Sequence, residues 1–246
     1  MNFSYEGYTN LIKTLRDNKY HIADYQSWKK YEKCVILRHD IDYDLKKALQ
    51  MSRIEHDVNV KSTYFLLLTS DFYNVFSQSA SCYLREIINY GHEIGLHFDE
   101  MRYNGLDIDE IREKIIDECK SLGCAVEAPI TTVSIHRPSK MMLEADLEIP
   151  GIINSYGSDF FKGFKYVSDS RRMWRESVES IIESQQFARL HILTHAFWYN
   201  EKEQDLKTSL SEFVNRGCQD RYSIMYENFT RLADELPRDE VYGGNI

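Results

Sequence analysis

Two aspartates, Asp40 and Asp42, follow an apolar run, Cys34-Val35-Ile36-Leu37, in the segment Arg38-His39-Asp40-Ile41-Asp42. A short β-rich run bounded by polar residues reads as a buried strand. Side chains on a strand alternate faces, so carboxylates two positions apart point the same way. Like charges held that close repel unless a cation or a proton sits between them. Metal binding or acid–base chemistry would answer that demand. Capping of the following amphipathic stretch by Asp42 or Asp44 is the plain alternative, and the pair alone does not decide between the two.

Histidines at three more strand ends bear on the choice. His97 ends an apolar run over 93–97, His136 ends 132–136 and precedes Arg137-Pro138, and His195 ends 190–195. A single histidine so placed is ordinarily structural. Three of them with an acid pair converge in space if the strands form one parallel sheet. Imidazole and carboxylate are the usual ligands of zinc and similar divalent cations. Three protein ligands leave an open position for water, whose pKa a metal lowers. Metal-dependent chemistry therefore accounts for the four places better than coincidence.

The elements needed to position these residues alternate along the chain. Residues 4–30 read as a helical lead-in. Strands are expected at 33–39, 60–68, 93–97, 131–135 and 187–194, with weaker ones at 151–155 and 164–168. Helical stretches are expected at 44–57, 80–90, 107–122 (stopped by Gly123), 173–184, 202–216 and 219–234. Such alternation predicts a mostly parallel sheet or barrel whose site lies at the carboxyl ends of the strands. No Pro/Gly/Ser-rich linker or repeat interrupts the 246 residues, so one domain over 1–246 is expected.

The segments carrying these residues resemble the polysaccharide deacetylase (NodB-homology) family over roughly residues 33–200. Thr63-Tyr64-Phe65 stands 21 residues after Asp42, matching the spacing from that family's metal-binding aspartate. Gly91-His92-Glu93-Ile94-Gly95-Leu96-His97 matches its second motif, Arg137-Pro138 its third, and Leu193-Thr194-His195 its fifth. Residues 166–170 with Trp174 resemble the fourth. The variant spelling is most similar to the subgroup associated with bacterial surface-polysaccharide gene clusters. The resemblance implies a distorted (β/α) barrel and a metal-dependent deacetylase. It implies Asp42 and His97 as metal ligands, His195 as general acid, and Arg137 as the residue that orients the base and favours its ionised form. It also allows an Asp169–Arg137 pair.

The chain departs from the family at two positions. The family's base immediately precedes the metal aspartate, where this chain has Ile41, so the base role moves to Asp40 on the face shared with Asp42. A second histidine is expected four residues after His97, where Met101 stands. His136 is the substitute third ligand, with Asp99 as the fallback. His92 and His191 are read as structural.

The expected activity is removal of an acetyl group from an N-acetylated sugar or surface-polysaccharide precursor, with zinc as the metal. A non-catalytic carbohydrate-binding protein on the same scaffold, and an amidase for a small cyclic or linear amide, are the rivals. A net charge of −9 without a basic tract argues against nucleic acid as the main partner. No apolar run is long enough to span a bilayer, so no stable membrane insertion is expected. No signal peptide is visible and the five cysteines form no CxxC pair, which suggests reduced thiols and a cytoplasmic setting.

Overall fold

Ser4 opens the first helix, α1 (Tyr5–Asp17), its side chain accepting from the Gly7 N–H while Tyr8, Leu11, Ile12 and Leu15 bury one face. The lead-in is not helical to residue 30. Lys19 adopts a left-handed φ of 64° just past the helix, and the chain turns into strand β1 (His21–Ala23). In chain order the rest is β2 (Cys34–Ile41), α2 (Leu45–Asp57), β3 (Thr63–Leu66), α3 (Gln78–Asn89), β4 (Glu93–Asp99) and α4 (Ile108–Val126). These are followed by β5 (Thr132–His136), α5 (Lys140–Glu144), β6 (Ile153–Asn154), α6 (Ser158–Phe161), β7 (Lys165–Ser168), α7 (Val178–Ser184) and β8 (Arg189–Thr194). The computed structural model describes residues 1–242, in two compact units of which Met1–Lys202 is the first.

Every strand pairing in this unit is parallel, in the order β6-β5-β4-β3-β2-β8-β7 with β1 added on β2. The curled sheet with its flanking helices is the distorted (β/α) barrel expected from the sequence. Alternation along β2 divides its side chains cleanly. Val35, Leu37 and Ile41 join the core beneath the helices. Cys34 and Ile36 join a separate cluster with Tyr25, Trp28, Phe65, Phe160 and Phe164 that plugs the interior. Arg38 and Asp40 continue that inner row toward the carboxyl end.

One local reading is resolved and another changes. Asp44, not Asp42, caps α2, accepting from the Lys46 and Lys47 N–H groups. Helix α4 runs through Gly123 to Val126 and ends on a left-handed Glu127. Gly123 serves the return of the chain instead: a Cβ there would lie 3.1 Å from the Ala128 carbonyl oxygen.

The second unit begins at Glu203. Its main element is one helix, α8 (Leu206–Asn228), capped by Asp205, where two helices divided near residue 218 were expected. Short helices α9 (Leu232–Glu235) and α10 (Arg238–Tyr242) follow. Among the described residues no helix is long and apolar enough to cross a membrane.

Gly95 is the tightest point of the barrel wall. A Cβ there would meet the Phe65 ring at 2.5 Å and Thr132 Oγ1 at 2.7 Å, both on neighbouring strands. Gly95→Ala should therefore lower stability by about 1–3 kcal/mol, read as a lower midpoint in chemical denaturation.

Candidate metal centre

Asp42 stands one residue beyond β2, His97 lies within β4, and His136 ends β5. Register brings them together, since His97 is level with Ser134 and Asp99 with His136. Asp42 Oδ1 is 3.4 Å from His97 Nε2 and 3.5 Å from His136 Nδ1, and those two nitrogens are 3.0 Å apart. Ligand atoms about 2.0–2.2 Å from a tetrahedral cation stand roughly 3.3–3.6 Å from one another. Asp42 Oδ1 is buried without a hydrogen-bond partner. The donor types and the two Asp42 separations fit a divalent cation, the two imidazole nitrogens lie closer than that range at hydrogen-bond distance, and these three residues form the one such group among the described residues.

The electrostatics agree. Burial would raise the Asp42 carboxyl, but the neighbouring His97 imidazole, followed by the charges of His195 and His136, outweighs it. The carboxyl is held well below its ordinary range. Burial, then His97 and Arg137, pushes the His136 imidazole down against the opposing pull of Asp42. A neutral ring keeps a lone pair free for a metal. Arg137 Nε donates to His136 Nε2 at 2.8 Å. Coordination through Nδ1 puts the ring proton on Nε2, so Arg137 has to release that nitrogen when a metal binds.

Asp40 projects on the same face as Asp42, one layer deeper, its Oδ2 3.7 Å from His97 Nε2. Its oriented partner is not Arg137. Arg38, two residues earlier on the same strand face, donates from Nη2 to Asp40 Oδ2 at 2.8 Å and from Nη1 to Ser155 Oγ at 2.9 Å. The guanidinium is 1% exposed and lies over the rings of Phe65 and Tyr156. Arg137 sits beyond β5 with a left-handed φ of 50°, which turns its side chain onto His136. The alternation that aligns Asp40 with Asp42 also aligns Arg38 with both, which is the one sequence signal for its place here.

Asp169 does not pair with Arg137 either. It is fully buried just after β7, where Oδ1 meets His195 Nδ1 at 2.6 Å, both oxygens accept from the His195 N–H, and Oδ2 accepts from Tyr199. Burial would lower the His195 imidazole, but the hydrogen bond and charge of Asp169, aided by Asp40 and Asp42, raise it to about 9. His195 is thus an imidazolium at neutral pH.

The remaining sequence candidates fall outside this constellation. Met101 points outward, 61% exposed, and Asp99 caps the turn after β4 by accepting from the Met101 N–H. His191 is buried against Tyr25, its Nε2 2.7 Å from the hydroxyl, and burial holds it neutral. His92 lies behind the sheet. Aromatic rings lie nearby: Tyr43 packs between Phe72 and Phe197 at 5.1 and 4.9 Å, and Trp198 lies 6.5 Å from His195.

No family model matches the chain, and no curated protein does. Among solved structures it is similar to a family 4 acetyl xylan esterase from Clostridium thermocellum in complex with a cobalt ion, with 17% identity, a TM-score of 0.39, and coverage of 66% of this chain and 73% of that one. It is also similar to IcaB from Ammonifex degensii, with 12% identity, a TM-score of 0.44, and coverage of 56% and 70%. A third is BA3943, a CE4 family pseudoenzyme from Bacillus anthracis, with 15% identity, a TM-score of 0.42 and coverage of 76% and 62%, so the match spans less than two thirds of that protein.

The His195–Asp169 pair sets a pH signature for the metal-free protein. A histidine raised above its unfolded value contributes stability that is fully present below about 6.5 and lost as pH rises through about 9. Asp169→Asn should return the His195 titration, followed by NMR, toward 6.5. Its stability deficit against the parent should be largest below pH 6.5 and should narrow as pH passes about 9.

Proposed function

We propose that this chain is a metal-dependent hydrolase that removes the acetyl group from an N-acetylated sugar. The observation that carries this reading is the convergence of three ligand atoms beside two separately oriented proton-transfer groups, Asp40 and His195. Asp42, His97 and His136 would hold the cation, with zinc as the expected metal for this nitrogen and oxygen donor set. When bound, it supplies polarisation of the acyl carbonyl and acidification of a water.

The chain's own residues divide the proton work. Asp40 accepts the proton of the attacking water, and Arg38 fixes the direction of its carboxylate. His195 is charged at neutral pH and donates from the ring nitrogen not used by Asp169, protonating the leaving amine as the C–N bond breaks. Amide hydrolysis needs that acid more than ester hydrolysis does, because an amine leaves poorly without a proton. The rings of Tyr43, Phe72, Phe197 and Trp198 beside His195 suit the apolar face of a pyranose.

Metal content and turnover of an acetylated amino-sugar glycoside separate the roles. The parent protein should bind about one equivalent of zinc, and His97→Ala should lose both metal and activity. Asp40→Asn should keep the metal and lose about 10²–10⁴-fold in kcat. Full activity in Asp40→Asn would remove the base assignment. A zinc-loaded parent that binds the sugar without deacetylating it would make the chain a carbohydrate-binding protein.

A further inference from the structure

Two histidines from the segments that carry the metal ligands and the base face away from the site, and both converge on one carboxylate. His39 precedes Asp40 directly, and His92 opens the segment that ends in His97. Glu55 of α2, fully buried behind the sheet, stands 3.0 Å from His39 Nε2 through Oε1 and 3.6 Å from His92 Nδ1 through Oε2. Its oxygens also accept from Tyr8 at 2.6 Å, Ser62 at 2.6 Å and Tyr64 at 2.7 Å. The other nitrogen of His39, Nδ1, lies 2.6 Å from the hydroxyl of Thr194, the residue before His195. His39 and Thr194 are register partners on adjacent strands.

Burial would raise the Glu55 carboxyl, yet His39, His92 and Ser62 outweigh that and hold it at about 2. An ionised carboxylate inside a core is a poor means of gaining stability, since well-packed apolar residues usually serve as well. What it supplies is direction. One carboxylate fixes α2 to α1 through Tyr8, to β3 through Tyr64 and, by way of His39 and Thr194, to β8.

We propose that Glu55 is a positioning residue for the deacetylation, holding from behind the sheet, through His39 and Thr194, the placement of His195 at the end of β8. The proposal rests on the hydrolase reading above. A misplacement of about 1 Å at a reacting group can cost about 10²-fold in rate, so the clamp need not touch substrate to matter.

The test compares zinc-loaded parent, Glu55→Gln, Thr194→Val and the double variant on two substrates. One is an acetamido sugar, whose leaving amine needs the His195 proton, and the other an aryl acetate, whose leaving group does not. The single variants should bind zinc within about 3-fold of the parent and lose about 10-fold or more in kcat on the acetamide at unchanged KM, with a much smaller loss on the aryl ester. The double variant should be no slower than the slower single, because both substitutions cut one link. Equal losses on both substrates, losses that multiply in the double variant, or no loss at all would each overturn the proposal. Should Glu55→Gln not fold, Thr194→Val decides alone, since it cuts the link without changing a buried charge. A zinc-loaded parent inactive on both substrates overturns the hydrolase reading and this one with it. An active parent with insensitive variants overturns this one only.

Discussion

A charged barrel interior has to be neutralised from within, and the Arg38–Asp40 pair does the deepest part of that. Both side chains are almost wholly buried, and their 2.8 Å contact lies directly above an aromatic plug. Breaking such a pair by removing one partner leaves an uncompensated charge and commonly costs about 3–5 kcal/mol. Asp169 is balanced in the same way by His195. Asp42 has only imidazoles facing it, at 3.4 and 3.5 Å. A bound cation is the natural counterweight to a buried carboxylate so placed.

The two faces of β2 impose different chemistry on adjacent residues. The inner row passes from Cys34 and Ile36 to Arg38 and Asp40, while the outer row holds Val35, Leu37 and Ile41 under the helices. His39 is the polar exception on the outer row, and it is the point where the rear network reaches the strand carrying Asp40. Residues placed on strands and fixed from both sides hold their geometry better than residues on loops. Asp40 and His195 each have a buried partner in front and a hydrogen-bonded neighbour in sequence behind.

Periodicity and strand ends made the barrel, the convergence of Asp42, His97 and His136, and the place of His195 legible in the sequence. Their contacts were less so. Arg38 carries the same period-two signal as Asp40 and Asp42, but an arginine inside a barrel is unexpected until its partner is seen. Arg137 went to His136 because a left-handed backbone turned it there, and no local pattern announces a positive φ at arginine. Glu55 falls on the buried stripe of α2 with Leu45, Ala48, Leu49 and Ser52, but periodicity does not say what pairs with an acid placed there. Its donors come from residues 8, 39, 62 and 64, a set that only tertiary structure assembles.

The loop after β4 turns Met101 outward. Its buried Glu100 accepts from the Ser139 N–H at 2.7 Å, three residues beyond His136. The loop after β4 thus braces the segment that follows the ligand on β5. His97 and His136 lie on neighbouring, directly hydrogen-bonded strands, and Asp42 reaches them from β2 across β3. Such a centre shifts as the sheet shifts, which makes the register of the strands, more than the conformation of any loop, the quantity that fixes the distances among its ligands.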